Sequence, residues 1–429
     1  MKRGNLTLPN KREVGTFSYV DQIVRLGGYS SQDIYGISPG DDLQDRVQRI
    51  HDLYRTAYHE YTHFLDLTTT VYGLTLVNKL VMAVAHFEKK GEHADPLSPA
   101  PVNLREEFDE IDRERMHAKN ASGKWPRPWG YRPYYGNARV SEGSTDEYLL
   151  IGATFFDPAT KAVFARAPFS VPAMLESNAV INELFLAHIF SKTQKFQSID
   201  TEKLLRALTE DTLKFFYDAG FLEYTVCFHR CANLTLIEDI VHAGHIMALI
   251  SRICLDAPLA CMVNYAPKDD SLDGIHEGIR GRVLEMIRAG SRSAVFELLT
   301  SVLVPADAEL NPAEVVRRIL EKTNFEFSLE NAAEIKATLL RSILKGADGL
   351  PTWEPLSKII EQNVDVSNGF DGLYELHKYT LPNCILSDGH LFHPHKPTPT
   401  SPMHPSVADF DCVEHARWME DFTNWLFGR

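Results

Sequence analysis

A chain of 429 residues, 44 % hydrophobic and 24 % charged, has the composition of an ordinary globular protein and exceeds what one core usually serves. Its net charge of −14 argues against general binding to nucleic acid or an anionic membrane and favours neutral or basic partners. With no apolar stretch behind Met1-Lys2-Arg3, no run of about 18 apolar residues and six cysteines that read as reduced thiols, the expected location is cytoplasmic.

In chain order, residues 1–40 are rich in Gly, Ser and Asn and read as an irregular or partly stranded lead-in. A long helix is then predicted from about Asp41 to Leu67, with Asp41 and Asp42 at the positive end of its dipole. Leu43, Val47, Ile50, Tyr54, Ala57, Tyr61 and Phe64 recur at spacings of four and three, one continuous apolar stripe. Thr68-Thr69-Thr70 and Gly73 break the pattern, and a second helix is predicted from Leu74 to about Lys90, antiparallel to the first. A charged run from Arg105 to Arg115 reads as a solvated helix. The loop Trp125-Pro126-Arg127-Pro128-Trp129-Gly130-Tyr131 is a candidate rim for a substrate groove or a simple surface cover.

Residues 147–152 and 162–166 flank Asp157-Pro158 and predict a β-hairpin. Beyond it the pattern is almost wholly helical: near Val171 to Ile189, then 202–218, 235–256, 278–304, 311–322, 329–345 and 353–362. Asn311-Pro312 supplies a cap followed by proline at the first helical position. A loop-like tail from Leu381 to Pro405 carries His390, His393, His395 and His404, and a final amphipathic helix is predicted from about Val407 to Phe427. The fold class expected is predominantly helical α+β, divided into domains at 1–200 and 201–429.

The first long helix carries the chemistry. Tyr58-His59-Glu60-Tyr61-Thr62-His63 fits H-E-x-x-H, in which two histidines one turn apart share a helix face and can reach one zinc ion. His59 and His63 fall nearly opposite the apolar stripe, so that face is expected to line a polar cleft, with Asp52, Thr56 and Asp66 beside them. A third histidine in the longer pattern would need glycine at 66 and histidine at 69. Asp66 and Thr69 stand there instead. Asp66 is a candidate to orient a ligand histidine, or simply a helix-end carboxylate.

At this motif the sequence resembles the gluzincins, zinc peptidases whose third ligand is a glutamate on a downstream helix, often followed by small residues. The nearest stretch here is Leu175-Glu176-Ser177-Asn178-Ala179. The resemblance implies a zincin-like catalytic part with a small sheet, Zn2+ held by His59, His63 and Glu176, and support from Glu183. Glu88, on the second helix, is the rival third ligand. By the same resemblance Glu60 is the general base of a metallopeptidase acting on a peptide or protein. Tyr134, Tyr135 or a tail histidine are candidate oxyanion donors. The alternative is a non-catalytic helical interaction scaffold that retains the motif helix.

Cys227 and Cys231, followed by His242 and His245, superficially suggest a second zinc site, but their intervals miss the finger spacing. No Walker loop, dinucleotide fingerprint or G-x-S-x-G elbow is present.

Overall fold

The computed structural model describes residues 15–35, 43–116, 128–139, 147–193, 213–367, 372–393 and 410–428. The fold is predominantly helical α+β. Strands β1 (Thr16–Phe17) and β2 (Val24–Leu26) precede helices α1 (Ser31–Tyr35), α2 (Leu43–Thr69), α3 (Val71–Lys90) and α4 (Pro99–Met116). Strands β3 (Gly130–Arg139), β4 (Glu147–Phe156) and β5 (Val163–Pro168) follow. Helices α5 (Val171–Thr193), α6 (Leu222–Thr235), α7 (Ile240–Asp256) and α8 (Leu259–Val263) come next. The series closes with α9 (Arg280–Arg288), α10 (Arg292–Ser301), α11 (Pro312–Thr323), α12 (Leu329–Ala347), α13 (Trp353–Ser367), β6 (Cys384–Leu386), β7 (Leu391–Phe392) and α14 (Cys412–Phe427).

The chain forms two compact units, and neither follows the expected division at residue 200. One unit gathers Met1–Phe108, Ala333–Phe370 and Tyr374–Arg429, and the other holds Asp109–Ala332 with Asp371–Leu373. In the first, β1 pairs antiparallel with β2, β2 parallel with β6, and β6 antiparallel with β7. The parallel register sets Arg25 opposite Ile385, so two segments far apart in sequence share one sheet. Tyr61 of α2 donates to the Pro382 carbonyl at 2.6 Å, and Phe64 meets Phe17 edge-on at 6.3 Å. The C-terminal helix closes on α3 through Phe87, whose ring lies 4.9 Å from Trp425 and 5.8 Å from Phe422.

Helix α2 begins and ends close to its expected limits, although its start at Asp41 and Asp42 lies outside the described residues. The following helix is not its antiparallel neighbour. The two meet at 79°, because Thr70 caps α3 by accepting from the Gly73 amide at 3.0 Å. A side chain at Gly73 would strike the Leu67 backbone at 2.3 Å, so the corner needs glycine.

The first unit also buries His415, whose Nε2 donates to the Asp21 carbonyl at 3.0 Å between the rings of Trp353 and Phe410. Burial holds this imidazole down at about 4, and the nearby Asp21, itself paired with Arg25, does not restore it. The folded state therefore resists a proton that the unfolded chain accepts near 6.5. The stability His415 contributes is whole above that value and is lost as pH falls towards 4. His415→Gln should shrink the loss of stability between pH 7 and pH 5 by ~2 kcal/mol, read from unfolding midpoints at both pH values.

In the second unit, β3, β4 and β5 form an antiparallel sheet, with Tyr134 opposite Gly152 and Thr154 opposite Arg166. The predicted hairpin is its second half, turned at Asp157, whose Oδ1 accepts from the Ala159 amide. Strand β3 is an addition. Trp129, just before it, packs against Phe155, Phe164 and Tyr217 instead of rimming a groove, while Trp125 to Arg127 lie outside the described residues. Helices α6 and α7 meet at 112°, and Gly244 lets α7 approach Ile181 of α5, where a Cβ would come within 2.4 Å. The predicted helix over 278–304 is two helices, broken at Gly290 with φ of 92°. Asn311 caps α11 with Pro312 at its first position, as expected, and Glu314 completes a capping box. The predicted helix at 202–218 falls largely outside the described residues, as do His395 and His404.

Candidate metal centre

Helix α2 owes its rigidity at the motif to bonds made within its own turns. Thr62, Thr68, Thr69 and Thr70 each return a hydroxyl proton to the carbonyl four residues back, at 2.6 to 2.8 Å. Tyr374 fastens it from outside. Its hydroxyl donates to Asp66 Oδ1 at 2.7 Å and lies 3.3 Å from Thr69 Oγ1, and its carbonyl accepts from Tyr58. Asp66 thus answers to Tyr374, a residue without any signal in the sequence.

The polar face is not the open cleft wall that the periodicity suggests. Glu60 is 2 % exposed and His63 fully buried, while His59 is half-buried. The imidazoles of His59 and His63 stand 4.9 Å apart at 83°, and Phe17 lies 6.4 Å from the His63 ring. Glu176, one turn into α5, is buried as well. One ligand-capable atom from each of His59, His63 and Glu176 lies within 4.8 Å of the other two. A tetrahedral ion with bonds of ~2 Å sets its ligand atoms about 3.3 Å apart. Small side-chain adjustments satisfy that, and two imidazoles with one carboxylate suit a zinc ion with a fourth position left for water.

Among the described residues no other group of three such side chains converges in this way. Glu88, the rival ligand, is exposed near the end of α3, and the 79° corner does not return that helix along α2. Cys227 and Cys231 are buried on α6 with their thiols pushed up by burial, Cys231 to about 12, and they belong to no such group. His229 bonds the Phe216 carbonyl at 2.8 Å. Of the tail histidines, His390 pairs with Asp388 at the surface and His393 bonds the Leu381 carbonyl at 3.2 Å. Tyr135 gives its hydroxyl proton to Glu297 at 2.5 Å, and the Arg166 guanidinium covers the Tyr134 ring at 4.9 Å.

No protein-family model, no curated protein and no solved structure matches this chain.

Proposed function

We propose that the protein is a zinc-dependent metallopeptidase, with His59, His63 and Glu176 as ligands and Glu60 as general base. The observation that carries this reading is the convergence of those three ligand atoms within 4.8 Å, with Glu60 next to one of them in sequence. A bound zinc ion supplies Lewis-acid polarisation of an amide carbonyl and acidifies water. The two imidazoles, one helical turn apart, fix the ion's position relative to α2. Glu60 takes the proton of the attacking water and returns it to the leaving amine.

Metal analysis with a peptide-cleavage assay tests the reading. The expected result is one zinc per chain and cleavage that chelation abolishes and zinc restores. Glu176→Gln should weaken zinc binding about 100-fold or more, whereas Glu88→Gln leaves it unchanged. Protein purified without zinc that neither binds it nor cleaves any peptide overturns the proposal. The burial of His63 and Glu60 favours one second reading, a helical scaffold in which the same three side chains hold a structural ion. Tight zinc without hydrolysis is its signature.

A further inference from the structure

We infer that Gly15 is the positioning residue of Glu60, an assignment that rests on the peptidase reading above. The backbone at residue 15, immediately before β1, lies against two successive turns of α2, where Thr56 and Glu60 project. A Cβ built on Gly15 would stand 2.9 Å from Glu60 Oε1, 3.1 Å from Glu60 Cγ and 2.5 Å from Thr56 Cγ2. The separations of 2.5 and 2.9 Å are shorter than non-bonded heavy atoms tolerate, so any side chain at residue 15 displaces both the threonine and the carboxylate of the glutamate.

Thr56 has little freedom to move. Its hydroxyl donates to the Asp52 carbonyl at 3.0 Å and lies 3.2 Å from the Tyr29 hydroxyl, and its branched Cβ restricts χ1. The clash with Glu60 falls on the end of a longer, unbranched side chain, so the carboxylate is the part of Glu60 that moves. A general base displaced by about 1 Å loses much of its catalytic value while the ligand histidines on the same helix stay where they were. The bare backbone at residue 15 is therefore the wall against which the carboxylate is held. Because β1 is tied by Phe17 to Phe64 and paired with β2, that wall is anchored to the sheet.

The test separates positioning from ordinary packing. Gly15→Ala introduces both clashes. Adding Thr56→Ser removes Cγ2 but keeps the hydroxyl, so the double variant relieves the packing clash and leaves only the contact with Glu60. Three readouts are taken on each protein: melting temperature, zinc affinity by chelator competition, and kcat and KM for a fluorogenic peptide. Expected are a lowered melting temperature in Gly15→Ala that the double variant recovers, zinc affinity and KM within twofold of wild type in both, and kcat down about 10- to 100-fold in both. If kcat returns together with melting temperature in the double variant, Gly15 is a packing residue and the inference is overturned. The same holds if KM or zinc affinity carries the loss. A wild-type protein that holds no zinc and cleaves nothing removes the peptidase reading and this assignment with it, an outcome distinct from an active wild type whose double variant is equally fast.

Discussion

Replacing Glu60 with glutamine is expected to leave zinc on the protein and to lower kcat by about 10²–10⁴-fold, the usual worth of a positioned proton acceptor. Glutamine fills the same volume, so the buried face of α2 keeps its packing at a position only 2 % exposed. What goes is the acceptor charge. Glu60 is not among the three converging ligand atoms, which is why metal content and turnover should part company in this variant. Parallel measurement of zinc stoichiometry and single-turnover cleavage checks it. Activity close to wild type would remove Glu60 from the chemistry, and loss of zinc together with activity would give it a binding role.

The second large effect concerns stability, at the buried Arg230–Glu297 pair. Arg230 Nη2 meets Glu297 Oε1 at 2.9 Å, with side-chain exposures of 2 % and 0 %. Arg230 Nε also donates to Thr300 Oγ1 at 3.2 Å, its guanidinium lies 5.7 Å from the Phe169 ring centre, and Tyr135 donates to the same carboxylate oxygen. Burial raises the Glu297 carboxyl above the ordinary carboxylate range, and Arg230 and the Tyr135 hydrogen bond pull against that rise. Burial likewise works against the arginine's charge, and Glu297 together with Tyr131 and Tyr135 more than offsets the effect. Glu297→Leu removes the counter-charge and leaves a guanidinium sealed without compensation. The cost expected is ~3–5 kcal/mol, read from urea unfolding, whereas Arg230→Met with Glu297→Leu should recover most of it, since a well-packed apolar pair replaces a desolvated one. A single variant within ~1 kcal/mol of wild type would mean that solvent reaches the pair.

The motif helix was legible because its apolar stripe and the His59–His63 spacing obey one period, and the α11 cap because Asn311, Pro312 and Glu314 are local in sequence. The polar side of α2 misled for a specific reason. The face was expected to line a polar cleft, yet Thr62 and Thr68 to Thr70 each satisfy a hydroxyl on a carbonyl one turn back and so can be buried at no polar cost. Strand β3 was hidden by Pro133, Gly136 and Asn137, residues that a strand at the edge of a sheet tolerates and a central one does not. The 79° corner depends on how closely Gly73 approaches Leu67, and the ion pair joins residues 67 positions apart. No local pattern carries either. Gly15 is the extreme case, a single glycine in an irregular lead-in whose role exists only relative to Glu60.

The sheet that pairs Arg25 with Ile385 also constrains how the polypeptide can mature as it leaves the ribosome. The histidine-bearing helix emerges early, but Pro382, Tyr374 and Phe392, which hold Tyr61, Asp66 and Tyr54, are synthesised some 300 residues later. Until then its apolar stripe is covered only in part, by β1, β2 and α3, and the nascent segment is a natural client for chaperones. The surroundings of His59 and His63 are accordingly completed late in translation, whatever ion they come to hold.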